Sequence, residues 1–166
     1  MSYAYDTIAD IIRLGEENNI SFGDVVLRYE LENYDRSEDA VVREIENRLD
    51  IFESSIQDGI AYAEKTASGM SGGQAAQLNG QTPRFMSDIA YKAMTYAIAV
   101  NEANAKMFRI VACPTAGSCG VMPGAVKAVA DHYQLDRATV VKGFLAASGI
   151  GNLSLIHISE PTRLQL

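Results

Sequence analysis

Residues 37–60, SEDAVVREIENRLDIFESSIQDGI, decide the fold class. Val41, Ile45, Leu49, Phe52, Ile56 and Ile60 follow one another at spacings of 4, 4, 3, 4 and 4. That is the period of a single apolar stripe on an α-helix, with acidic and polar residues filling the positions between. Ser37 stands where an N-cap belongs, and Glu38 and Asp39 fall in the first turn, where the helix dipole favours negative charge. Gly59 is a weak point near the end of the run. Working outward, Ile8, Ile11 and Ile12 mark an earlier stripe that Gly15 is expected to terminate. Ser21, with Asp24 three residues on, forms an acidic variant of the capping box ahead of Val25, Val26 and Tyr29. Ser87 is expected to open a long alanine-rich helix through Ile89, Ala93, Tyr96, Ala97 and Val100 towards Met107, able to approach a neighbour closely. Pro123 suits the start of a further helix, where its missing N–H costs little. Asp136 is placed to cap a last one carrying Val140, Val141, Phe144 and Leu145. Residues 68–83 carry no helical period, and a short β-branched pair, Ile110-Val111, leads towards Pro114. Period-2 alternation is nearly absent, so the expected class is all-α, a helical domain with glycine-rich loops between its helices.

The 166 residues and 18.0 kDa amount to about one domain. At 48% hydrophobic and 21% charged, the chain has an ordinary globular balance. A net charge of −7 repels phosphate backbones, which argues against nucleic-acid binding. The most apolar stretch, Ile89 to Val100, is interrupted by Lys92 and Thr95, so no membrane span is expected. Asp6 and Asp10 break any secretory pattern at the N-terminus. Cys113 and Cys119 are too few for a disulfide scaffold, and a cytoplasmic enzyme or subunit is the expectation. Composition shifts near Thr66. Residues 1–66 hold 16 acidic against 6 basic side chains and three glycines, whereas residues 67–166 hold 5 against 8 and ten glycines. This divides the chain into an acidic amphipathic segment, 1–66, and a glycine-loop part, 67–152.

Three segments could carry chemistry. Cys113-Pro114-Thr115-Ala116-Gly117-Ser118-Cys119-Gly120, followed by Val121-Met122-Pro123-Gly124, is a hydroxyl- and glycine-rich loop entering a helix. N–H groups at a helix start favour an anion, and with no Lys or Arg inside the loop a carboxylate fits better than a phosphate. A capping turn that binds nothing has the same spacing, and both readings stand at this point. Ser71-Gly72-Gly73 is a second loop of this kind. Asn101-Glu102-Ala103-Asn104 places two amides on one helix face, suited to an ammonium-plus-carboxylate ligand or equally to an exposed helix end. Glu102 is also a candidate proton base, while Lys106, one turn on, suits an ordinary ion pair with it. Cys113 and Cys119 are six apart with no histidine at zinc spacing, so this chain offers no metal site of its own and the two read as small buried residues. His132 reads as exposed, and His157 lies near the C-terminus.

Ser68-Gly69-Met70-Ser71-Gly72-Gly73, Ala99-Val100-Asn101-Glu102-Ala103-Asn104-Ala105 and Pro114 to Gly124 together resemble, in order and spacing, the alpha chain of the iron–sulfur-dependent L-serine dehydratases. The resemblance covers residues 1 to about 152. It implies deamination of L-serine to pyruvate and ammonia with a [4Fe-4S] cluster, and no pyridoxal phosphate. One iron of that cluster would act as a Lewis acid on the β-hydroxyl. It implies a helical alpha chain that works with a beta chain. It also implies three cluster cysteines in motifs C-terminal to everything here, so the chain reads as an incomplete catalytic domain, inactive alone. The stretch 153–166 does not resemble the family and is expected to be foreign to it. On the resemblance, Thr115, Gly117 and Ser118 would hold the serine carboxylate, with Cys119 and Gly120 in the same substrate-binding loop. Ser71, Gly72 and Gly73 would line the same pocket, and Asn101, Glu102 and Asn104 would orient the amine or the cluster face. Two other readings compete. Ser118 could be the nucleophile of a hydrolase, which needs a base within reach. Alternatively, the chain could be a non-catalytic helical adaptor whose acidic half binds a basic partner.

Overall fold

The computed structural model describes residues 2–113 and 116–154. Among these are seven α-helices, one short 3-10 turn and no strand, so the all-α expectation holds. The helices are α1 (Ile8–Asn18), α2 (Phe22–Tyr34), α3 (Glu38–Ala61), α4 (Gln74–Leu78), α5 (Asp88–Ala105), α6 (Val121–Tyr133) and α7 (Arg137–Ser154). They form two compact units, divided inside α3, and the compositional break near Thr66 falls within the second.

The first unit comprises residues up to Ile45 together with α7. Its helices start as their sequences dictate. The Thr7 hydroxyl accepts from the Asp10 amide at 3.2 Å while the Asp10 carboxylate accepts from the Thr7 amide at 3.0 Å. Ser21 and Asp24 repeat the reciprocal box at 3.2 and 3.1 Å. Gly15 does not end α1, contrary to the sequence expectation. The helix runs through it to Asn18 and closes on Asn19 in the left-handed region at φ 52°. Gly15 is buried instead, where a side chain would press on the Ile20 carbonyl. Of the expected stripe Ile8, Ile11 and Ile12, Ile11 faces the core and Ile8 and Ile12 lie about half exposed; Leu14 is the other buried apolar side chain of α1. α2 packs on α7 through two glycines. Gly23 lies against the Lys142 backbone, Gly149 lies against Val26, and Asp24 pairs with Lys142 at 3.1 Å.

The second unit runs from Glu46 to Asp136. Leu49, Phe52 and Ile56 of α3 are buried as the period requires. Its core joins Ile56, Ala75, Ala99, Val100 and Cys119. α5 begins at Ser87, whose hydroxyl accepts from the Ala90 amide, and ends at Ala105, two residues short of Met107. Its alanines do permit close approach. Gly120 and Gly124 of the α6 entry lie on the backbone of Ala97 and Ala93, and Gly59 of α3 lies on Ala99. Residues 68–83 are not wholly irregular, because α4 forms within them at Gln74–Leu78.

Candidate functional site

The three segments singled out in the sequence meet on the C-terminal half of α5. Two consecutive residues there contact one loop each.

Glu102 holds the first. It is 2% exposed. Its Oε2 accepts from the Gly73 amide at 2.9 Å, and its Oε1 accepts from the Gln74 and Ala75 amides at 2.8 and 3.4 Å. Lys106 lies 3.9 Å away and also donates to the Tyr62 carbonyl. The loop is shaped for this contact. Gly72 and Gly73 have φ of 120° and 85°, which only glycine adopts readily. A side chain on either would run into the carbonyls of Glu64 or Ala63. Ser71 is tied down through its carbonyl, which accepts from the Thr66 amide and hydroxyl at 2.9 and 3.2 Å.

Asn101, itself exposed, touches the second. Its Oδ1 lies 3.6 Å from the Cys119 thiol, and its Nδ2 stands where a side chain on Gly120 would have to go. Cys119 and Gly120 are buried, Gly117 is exposed, and Ser118 is half-buried. The Ser118 hydroxyl donates to the Cys113 carbonyl at 3.0 Å, closing the turn ahead of α6. Asn104 is half-buried one turn along α5. Pro114 and Thr115 lie outside the described residues. Burial pushes the Cys113 thiol up, with Arg48 partly opposing it, and burial also raises Cys119. Both therefore stay protonated at neutral pH. His132 is exposed, edge-on to Tyr133, and His157 lies outside the described residues.

A cavity of about 320 Å³ opens beside the end of α5, lined by Tyr62, Lys65, Thr66, Lys106, Met107 and Phe108 among others. It adjoins the chain leading into Ser71–Gly73, and its lining does not include the 117–120 turn.

The family description "Serine dehydratase alpha chain" matches residues 17–160. The chain belongs to the serine dehydratase alpha chain family. The match extends beyond residue 152, where the resemblance was expected to stop. Of residues 153–166, Leu153 and Ser154 are described, both in α7, and Leu153 is buried. The chain is 32% identical over 151 residues to the L-serine dehydratase, alpha chain, of Peptoniphilus asaccharolyticus, covering 89% of this chain and 52% of that one. It is 27% identical over 150 residues to the probable L-serine dehydratase, alpha chain, of Bacillus subtilis (strain 168), covering 89% and 50%. L-serine dehydratase 2 of Escherichia coli (strain K12) is 26% identical over 170 residues, covering 95% of this chain and 36% of that protein. The chain thus spans about half the length of the alpha-chain relatives it matches.

Sequence reasoning named Asn101, Glu102 and both glycine loops, and α5 brings them together. It missed α4, the capping role of Glu102 and the Ser118–Cys113 closure. The alanine- and glutamine-rich Gln74–Leu78 run after two glycines was the available signal for α4. The other two features depend on contacts that no local pattern encodes.

Proposed function

We propose that this chain supplies the substrate-holding part of an L-serine dehydratase, an enzyme that deaminates L-serine to pyruvate and ammonia. The carrying observation is that adjacent residues of one helix contact two glycine loops from widely separated parts of the sequence, Glu102 binding the amides of one and Asn101 touching the other. In this reading Gly117 and Ser118, together with Thr115, receive the serine carboxylate, with Cys119 and Gly120 in the same loop. Ser71, Gly72 and Gly73 line the opposite side, and Asn101 and Asn104 face the ammonium group. Backbone amides and amide side chains suit a zwitterion, because they donate and accept without adding net charge.

The residues of this chain do not fit the [4Fe-4S] cluster that the resemblance implies. The whole sequence has two cysteines, and Cys119 is buried against Asn101. No group of three metal-ligating side chains converges among the described residues. We assign the cluster thiolates to polypeptide beyond these 166 residues and place a beta chain alongside as partner. Within that reading the 166 residues form no pyruvate by themselves, and their setting is the cytoplasm. No described helix is long and apolar enough to cross a membrane.

Titrating the chain with L-serine while following backbone amide resonances tests the proposal. Saturable shifts at Gly72, Gly73, Gly117 and Gly120, weaker with D-serine, are expected. Shifts confined to other residues, or none, would overturn the substrate assignment. Anaerobic treatment with iron and sulfide is expected to leave the chain colourless, and a stable cluster absorption would refute the ligand assignment.

A further inference from the structure

We infer that Glu102 is a positioning residue, the remote cap that fixes the Ser71–Gly73 loop, and not the group that removes the substrate's α-proton. The inference rests on the proposed serine site only for the ligand that the loop serves.

Three observations carry it. First, both carboxylate oxygens are already acceptors, Oε2 for Gly73 and Oε1 for Gln74 and Ala75. A general base needs an oxygen turned towards the proton it takes. Here the oxygens are turned towards the start of α4. Second, α4 has no cap of its own, because its N-cap residue is Gly73, which has no side chain with which to cap it. The amides that a local Ser, Thr or Asp would satisfy are satisfied by a carboxylate 27–29 residues later in the chain. Third, the loop is gripped from both sides. Gly72 and Gly73 lie flat on the Ala63–Lys65 backbone, and Glu102 closes over them with Lys106 beside it. The glycine backbone is thus packed on the 63–65 backbone on one side and tied to the carboxylate on the other. The preceding residue, Asn101, touches Cys119, so the same stretch of α5 contacts both loops.

Amide hydrogen exchange and L-serine titration of the 166-residue chain carrying Glu102→Gln or Glu102→Asp test this. In the parent chain the Gly73, Gln74 and Ala75 amides should exchange slowly. In Glu102→Gln they should exchange about tenfold faster or more, with Ala99 and Val100 unchanged as the check on folding. Glu102→Asp, which keeps the charge on a shorter arm, should recover part of the protection. Affinity for L-serine should follow the same order. Equal protection at residues 73–75 in all three chains would overturn the anchoring role. Equal L-serine affinity in the parent and Glu102→Gln would overturn the positioning role and return Glu102 to the candidate bases. Failure of the parent chain to bind L-serine would sink the serine site while leaving the exchange comparison to decide the anchor. If Glu102→Gln does not fold, Glu102→Asp decides alone, with unchanged protection at residues 73–75 counting against the anchor.

Discussion

Local caps open helices in both units, at Thr7, Ser21 and Ser87, but one helix of the second unit is opened from a distance. In the first, α1 and α2 are each opened by a hydroxyl and a carboxylate three residues apart, Thr7 with Asp10 and Ser21 with Asp24. In the second, α4 is opened by Glu102, which reaches it from α5. A local box forms as soon as its turn forms, and losing it costs one helix end. A remote cap exists only once two distant segments have met, so it reports tertiary structure. The glycines divide in the same way. Some of them permit a turn, while others let two backbones touch.

The largest effect expected from this contrast is at Gly59. A Cβ there would sit 1.9 Å from the Ala99 carbonyl oxygen, so Gly59→Ala must push α3 off α5. The expected loss is about 3 kcal/mol or more, read as a lowered urea midpoint. A change of a few tenths would show that the contact is not made in solution. Glu102→Gln comes next. It leaves backbone N–H groups facing an amide that cannot accept from all of them, at a cost of about 2 kcal/mol in the same measurement.

The stability of the local caps is smaller and depends on pH. Ser21→Ala should cost about 1 kcal/mol. Burial works against the Asp24 carboxylate, but hydrogen bonds from Ser21 and Lys142 outweigh it and hold the group below its ordinary value of 3.8. A carboxylate depressed in the folded state contributes stability above its unfolded value and loses it as pH falls through the folded one. Asp24→Asn should therefore flatten the acid limb of the stability profile. The alkaline limb has contributors in both units. Burial raises Tyr5 to about 12, and burial with the Asp131 hydrogen bond raises Tyr96 to about 12. Their contribution is complete below 10 and is lost as pH rises towards 12. Tyr96→Phe should remove its share of that loss, and an unchanged alkaline slope would contradict the burial of its hydroxyl.

What could be read in the sequence follows the same divide. The stripe from Val41 to Ile56, the caps at Ser21 and Ser87 and the close approach of the alanine-rich helix are properties of short windows, and all appear. Gly15 was misread because a glycine just past an apolar stripe looks like a stop. Its meaning lies in the Ile20 carbonyl packed against it, and the true stop is Asn19. α4 was missed because five residues carry no period. At the candidate site, residue types and spacing sufficed to nominate Asn101, Glu102 and the glycine loops. They could not separate a base from a cap, since a glutamate near a helix end serves either. Only the three amides facing Glu102 distinguish the two.

The smallest effect is the sharpest test of the glycine contrast, because it has the opposite sign. Gly143 and Gly149 lie on the same helix, α7. A Cβ at Gly149 would come within 2.5 Å of the Val26 side chain, whereas a Cβ at Gly143 meets nothing within 4 Å. At Gly143 alanine therefore adds no clash and restricts the unfolded chain, and exposed interior helix positions favour it by about 0.5–1 kcal/mol. Gly143→Ala should raise the midpoint and Gly149→Ala should lower it, measured side by side in urea. If both lower it, the Gly143 face is covered in solution, and glycines on this chain cannot be sorted by the space around them.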